Sequence, residues 1–267
     1  MADPVVSTVH AHGLTGRVYA SASGPRDART PGSDDGVAYV LIHGIGVSHR
    51  YLARLHIVLA RGSATYSIDL PGFAGTPKPP RQLSIADYAD FILAVLAQLE
   101  VGPCVLVGHS MGAQFVLEAA LQRPALVARL VLMGPVTDVR RRNPLRQGWD
   151  LALDSVIAET PKANWMVFSD YWRCGPRWYL RELPVMLGYP IEDRITALTV
   201  AVLVLRGVRD TVASHPWCAQ LASLAPAGRL QEVPGCGHVV QHKAPEEVAA
   251  AIEAFVASPP TPLEATA

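Results

Sequence analysis

Eight residues, Val105-Leu106-Val107-Gly108-His109-Ser110-Met111-Gly112, set a serine between two glycines at the end of an apolar, β-branched run. The run from Cys104 to Val107 reads as a strand buried on both faces, and Met111 to Leu121 carries apolar residues at helical spacing. Ser110 therefore falls on a strand-to-helix turn. A side chain at Gly108 or Gly112 would clash with the tightly folded backbone beside it, and the helix beyond offers unpaired N–H groups to developing negative charge. The chemistry this suits is nucleophilic attack by a hydroxyl. The competing role for Ser110 is simply to cap the following helix.

Elements that position such a serine alternate along the chain. After a flexible lead, Val9 to Ala20 suggests an edge hairpin turning at Gly13 to Gly16, and Ser23 to Gly36 is a Pro/Gly/Asp-rich connection. Val37 to Ile42 is a buried strand ending in His43-Gly44-Ile45-Gly46, followed by a helix from Ser48 to Ala60. Thr65 to Leu70 is the next strand, and Ser84, with Asp87 three residues on, caps a helix to Leu99. The serine turn comes next, then a strand from Leu130 to Met133. From Gly134 to about Thr196 the alternation is lost in an aromatic, proline-broken stretch that reads as several short helices inserted into the sheet. Strands resume at Val200 to Leu205 and Arg229 to Val233, with helices from His215 to Leu224 and from Pro245 to about Val256. The tail after Ser258 reads as disordered. Repeats of this kind imply a mostly parallel sheet with helices on both faces.

Across roughly residues 35 to 257 this order resembles the α/β-hydrolase family. The resemblance implies an eight-stranded, mostly parallel sheet with a helical cap inserted after strand six. The domain division that follows is a core of 1–134 and 197–257, a cap of 135–196 and a flexible tail of 258–267. The family's catalytic serine maps on Ser110, its acid after the strand following the cap on Asp210, and its histidine after the last strand on His238. Its two oxyanion N–H groups map on Ile45 and Met111. Asp69 to Gly75 looks like its glycine-rich turn. Lys243 departs from the pattern, since many members carry an acidic residue shortly after the histidine.

The residues make chemical sense together. A serine hydroxyl is a poor nucleophile at neutral pH, so a neutral imidazole must take its proton and return it to the leaving group. His238 sits on a glycine-flanked turn after a strand, from which its ring can reach the sheet edge. Asp210 would fix the ring's tautomer and offset the imidazolium charge; otherwise it caps the helix near His215. Asp138, after the preceding strand, is the second candidate acid. His43 reads as a packed turn residue, His109 as pointing away within the serine turn, and His242 as solvated.

The insert holds Trp149, Trp165, Trp172 and Trp178, four of the five tryptophans, and forms an apolar roof with a small core of its own. Trp149, Trp165 and Trp172, with His43, Gly44 and His109 below, are the candidates for lining the substrate pocket. The run Arg140-Arg141-Arg142, with Arg146, reads as a solvated charge cluster, with anchoring of an anionic substrate group as the alternative.

Composition bounds the partners. The 267 residues are half apolar, with formal net charge zero, which argues against nucleic acid as a partner. Cys104, Cys174, Cys218 and Cys236 lack metal-ligand spacing and read as reduced thiols, and neither metal nor cofactor is called for. The N-terminus lacks the features of a signal peptide and no apolar run reaches membrane-spanning length, so a cytoplasmic protein is expected, as monomer or homodimer. The expected activity is serine hydrolysis of carboxylic esters of a small, largely apolar substrate. Thioester, lactone and β-diketone carbon–carbon hydrolysis, acyl transfer and perhydrolysis use the same residues, and a non-catalytic ligand sensor is the alternative of another class.

Overall fold

An antiparallel hairpin opens the computed structural model, which describes residues 3–21, 37–137 and 161–259. Its strands β1 (Val5–Ala11) and β2 (Leu14–Ser21) join through His12 and Gly13, both at positive φ, as a tight two-residue turn requires. The hairpin begins four residues before the expected Val9. Val5 and Val6 are exposed on the edge strand, so burial left no signal there.

The strands β3 (Ala38–Ile42), β4 (Thr65–Asp69), β5 (Cys104–His109), β6 (Val127–Met133), β7 (Val202–Gly207) and β8 (Arg229–Val233) complete an eight-stranded sheet. Its order is β1-β2-β4-β3-β5-β6-β7-β8, antiparallel for β1–β2 and β2–β4 and parallel elsewhere. Alternate side chains of the parallel strands enter two separate cores. Val40, Ile42, Leu106, Leu130, Leu132 and Val204 face one side, under α2 (Ile85–Gln98) and α3 (Gly112–Gln122). Tyr39, Leu41, Val105, Val107, Val131 and Leu205 face the other, under α1 (Ala53–Leu59). Continuous apolar runs in the sequence follow directly from this double burial.

Between β6 and β7 lie the insert's helices α4 (Pro161–Cys174), α5 (Pro176–Gly188) and α6 (Ile191–Arg194). After β7 come α7 (His215–Leu224), then α8 (Val240–Lys243) and α9 (Pro245–Ala257) after β8. The capping box expected at Ser84 is present: Ser84 Oγ accepts from Asp87 N at 3.1 Å and Asp87 Oδ2 accepts from Ser84 N at 2.7 Å. The short α8 has no counterpart in the sequence reading. It carries His242, which is buried where solvation was expected, because Arg54 Nη1 donates to its carbonyl at 2.6 Å and docks α8 on α1. All four cysteines are free thiols and buried. Ser23–Gly36, Asp138, Arg140–Arg142, Arg146 and Trp149 lie outside the described residues.

Candidate active site

Only Ser110 and Met111 separate β5 from α3, and Ser110 takes φ +58°, in the left-handed region that most residues avoid. Its neighbours enforce the strain. A Cβ on Gly108 would run into the Gly112 carbonyl, and one on Gly112 would lie 2.5 Å from the Ile42 carbonyl oxygen. Ser110 N donates to Met133 O at 2.9 Å, which ties the turn to the end of β6.

Asp210 and His238 follow β7 and β8, and His238 Nδ1 donates to Asp210 Oδ2 at 3.0 Å. Their loops are pressed together at Gly207, where any side chain would strike the Cys236 and Gly237 carbonyls. Gly134, next to Met133, lies against the pair: a Cβ there would sit 3.0 Å from His238 Cε1 and 3.3 Å from Asp210 Oδ2. Residues from the ends of β5, β7 and β8 thus gather around the end of β6, at the carboxyl edge of the parallel sheet where such folds hold ligands.

Electrostatics distinguish the groups. Burial alone would raise the Asp210 pKa, yet the charge and hydrogen bond of His238 and the backbone N–H groups of Val212 and Ala213, each 2.8 Å from Oδ1, hold it below the ordinary value. The carboxylate stays ionised. The His109 pKa is also lowered, to about 3, by burial and then by repulsion from His238, so this ring, unlike the carboxylate, is neutral.

Gly44 crosses over the serine, where a Cβ would be 2.9 Å from Ser110 Cβ. His43 fixes this turn: its Nδ1–H donates to Gly44 O at 2.7 Å while Nε2 accepts from Leu70 N at 3.0 Å. In a trans peptide the N–H points opposite to the carbonyl, so the bond to Gly44 O directs Ile45 N–H away from the His43 ring. Among the described residues, the backbone N–H groups of Ile45 and Met111 have no hydrogen-bond acceptor.

The expected pocket residues divide. Both ring nitrogens of His43 are engaged inside the protein, as are those of His109, by Tyr51 and by the His238 carbonyl. Neither ring has a nitrogen to offer a substrate. Trp165 and Trp172 are 69% and 78% exposed and lie with Phe168 on the outer stripe of α4, at helical spacing, so they do not line an interior pocket. Other aromatic residues meet the core instead. Tyr171 and Tyr179 close on Gly46, and Trp178 closes on Gly72, both glycines at positive φ. Asp170, also buried, accepts from Ser48 Oγ at 2.5 Å and from Arg50 Nη1 at 2.8 Å. The sequence signal that could have found them is the glycine at 46 and at 72, each a gap that something bulky must fill.

The family model of the alpha/beta hydrolase family matches residues 39–251. An (E)-2-((N-methylformamido)methylene)succinate hydrolase of Acinetobacter baylyi is 25% identical over 85% of this chain and 92% of its own. The mouse sn-1-specific diacylglycerol lipase ABHD11 is 26% identical over 82% of this chain and 81% of its own. Among solved structures, the N-acyl homoserine lactone degrading enzyme Est816 superposes with a TM-score of 0.76 at 20% identity, covering 93% of this chain and all of its own. The meta-cleavage product hydrolase CumD of Pseudomonas fluorescens superposes at 0.73 and 21%, covering 93% and 96%. With four-fifths of its length matched, the chain belongs to the alpha/beta hydrolase family.

Proposed function

We propose that the protein is a serine hydrolase that cleaves carboxylic ester or related acyl bonds of a small, largely apolar substrate through an acyl-enzyme. The observation that carries this reading is the buried His238–Asp210 pair packed on Gly134, beside the strained Ser110 whose backbone is held by Met133. Ser110 Oγ attacks the acyl carbon as His238 Nε2 takes its proton, and the carbonyl oxygen becomes an oxyanion. The N–H groups of Ile45 and Met111 receive that charge; fixed donors of this kind contribute about 3 kcal/mol each to lowering the barrier. His238 then protonates the leaving group as the carbon–oxygen bond breaks. Water enters by the same route, giving up a proton to His238, and the acid is released as Ser110 regains it. Asp210, ionised throughout, holds the ring with Nδ1 protonated and offsets its charge.

The insert acts as a cap over this edge, with Tyr171 and Tyr179 against the Gly46 turn supplying an apolar wall. Carbon–carbon bond hydrolysis is the second reading, favoured by the structural likeness to meta-cleavage product hydrolases. It asks the same three side chains to act on a ketone.

A fluorophosphonate probe tests the first claim. The parent protein is expected to label and to turn over short p-nitrophenyl esters, and Ser110→Ala to lose both. Absence of labelling in the folded parent would leave a ligand-binding protein with an idle triad. A panel of esters, thioesters, lactones and β-diketones then separates the substrate classes by kcat/KM.

A further inference from the structure

Between the two halves of the candidate machinery runs a chain of hydrogen bonds that engages none of the three candidate catalytic side chains. Gly44 N lies 2.8 Å from Tyr51 Oη, Tyr51 Oη lies 2.9 Å from His109 Nδ1, and His109 Nε2 lies 2.8 Å from the His238 carbonyl oxygen. All three bonds are buried, and the rings pack at 5.1 Å for Tyr51 on His109 and 4.7 Å for His109 on His238.

Chemistry fixes the direction of every bond. A backbone carbonyl only accepts, so His109 carries its proton on Nε2 and donates to His238 O. The buried ring is neutral, so Nδ1 is bare and accepts the Tyr51 hydroxyl proton. The phenol oxygen is then free to accept from Gly44 N–H. No group in the chain can turn round without leaving another unpaired, which is costly where water is excluded.

We infer that Tyr51 and His109 are positioning residues: they register the turn bearing the Ile45 oxyanion donor against the loop bearing His238, through the residue that precedes the nucleophile. This rests on the serine hydrolase reading. One end of the chain holds the His43–Gly44 peptide plane, and the adjoining Gly44–Ile45 plane is held through its carbonyl by His43. The other end holds the backbone of His238, whose ring Asp210 already orients. The donor and the base are thereby set at a fixed separation across Ser110. A displacement of about 1 Å at such a site can cost about a hundredfold in rate.

The test compares Tyr51→Phe, His109→Gln and the double variant with the parent. Tyr51→Phe is expected to lower kcat by about 10- to 100-fold with KM within about threefold, since the loss falls on the transition state. Affinity for a trifluoromethyl ketone, whose serine adduct carries an oxyanion, should fall in parallel, while affinity for the product carboxylate holds. His109→Gln keeps a donor near the Nε2 position but places no acceptor where Nδ1 met the Tyr51 hydroxyl, and should show a similar loss. The double variant should lose no more than the worse single variant, because both cut one chain. A residue that only supports the fold would lower thermal stability and leave the ketone affinity untouched.

Folded Tyr51→Phe with kcat and ketone affinity within twofold of the parent would overturn the inference, as would losses that multiply in the double variant. Should a variant not fold, nitrogen-15 NMR of the parent decides: His109 must show a protonated Nε2 and a bare Nδ1, and the opposite tautomer overturns the relay. A parent that resists fluorophosphonate overturns the hydrolase reading and the relay with it. A parent that labels beside an unimpaired Tyr51→Phe overturns the relay alone.

Discussion

Asp210 holds a negative charge where a carboxylate is costly, and the way its two oxygens are used makes its replacement informative. Oδ1 accepts from two backbone N–H groups and Oδ2 from His238. In Asp210→Asn the side-chain oxygen must stay with the two N–H donors, which turns the amide NH2 toward His238 Nδ1. The imidazole is then forced to carry its proton on Nε2 and can no longer accept one from Ser110. A loss of about 10⁴ in kcat is expected with the thermal midpoint almost unchanged. Loss below about tenfold in folded protein, measured on p-nitrophenyl acetate, would remove Asp210 from the mechanism. Ser110, Asp210 and His238 were legible as candidates because each lies just past a strand end, marked by an apolar run before Ser110 and Asp210 and by the Pro234–Gly237 turn before His238, all local patterns. Tyr51 was not legible. Its pairing with His109 depends on two strands' loops meeting in space, and nothing within a few residues of position 51 announces it. Trp165 and Trp172 misled for the converse reason: composition marked them as apolar, but only the phase of α4 reveals that they lie on its outer stripe.

Helix α4 shows how one element can be read correctly in kind and wrongly in face. Its outer stripe of Trp165, Phe168 and Trp172 is exposed, while Asp170 and Cys174 on the other side are buried. A buried aspartate on a cap helix looks like an error until its partners are counted: Ser48 and Arg50 belong to the same loop as Ile45 and Tyr51. The two faces therefore predict opposite outcomes. Asp170→Ala strands the Ser48 hydroxyl in the interior and frees the half-exposed Arg50, so a loss of about 1–3 kcal/mol is expected in urea unfolding. Trp172→Ser, which touches solvent, should change stability by no more than about 0.5 kcal/mol. Equal losses from both would mean that the face assignment of α4 is wrong. The central strands and the capped α2 were legible because double burial and the Ser84–Asp87 box each leave a local signature. Four-residue α8 is too short to leave one.

Taken as a whole, the molecule buries neutral histidines on several elements, and this couples its stability to pH. Burial, the leading cause in each case, lowers His43, brings His56 to about 4, and takes His49 and His109 to about 3. In the unfolded chain each titrates near its ordinary value of about 6.5. Between those limits the unfolded state binds protons that the folded state refuses, so stability falls as pH drops below about 6.5. Glu182 opposes this. Burial raises it to about 7, so between its ordinary value of about 4.5 and that point the folded carboxyl holds a proton the unfolded one has lost, and acidification favours the fold. Asp69, raised by burial, pulls the same way as Glu182. Asp210, held below its ordinary value, adds stability above about 4 that disappears in stronger acid. Four histidines against two carboxyls leave a net fall from pH 6.5 to pH 5. The urea midpoint should decline over that interval, and the slope reports the protons taken up on unfolding. His56→Gln, which can keep a hydrogen bond to Ser67 or Ser21 without a titrating ring, should reduce that uptake by about one proton. A midpoint that is flat or rises on acidification would mean that the buried histidines do not outweigh Glu182 and Asp69, and would overturn the expected sign of the pH dependence.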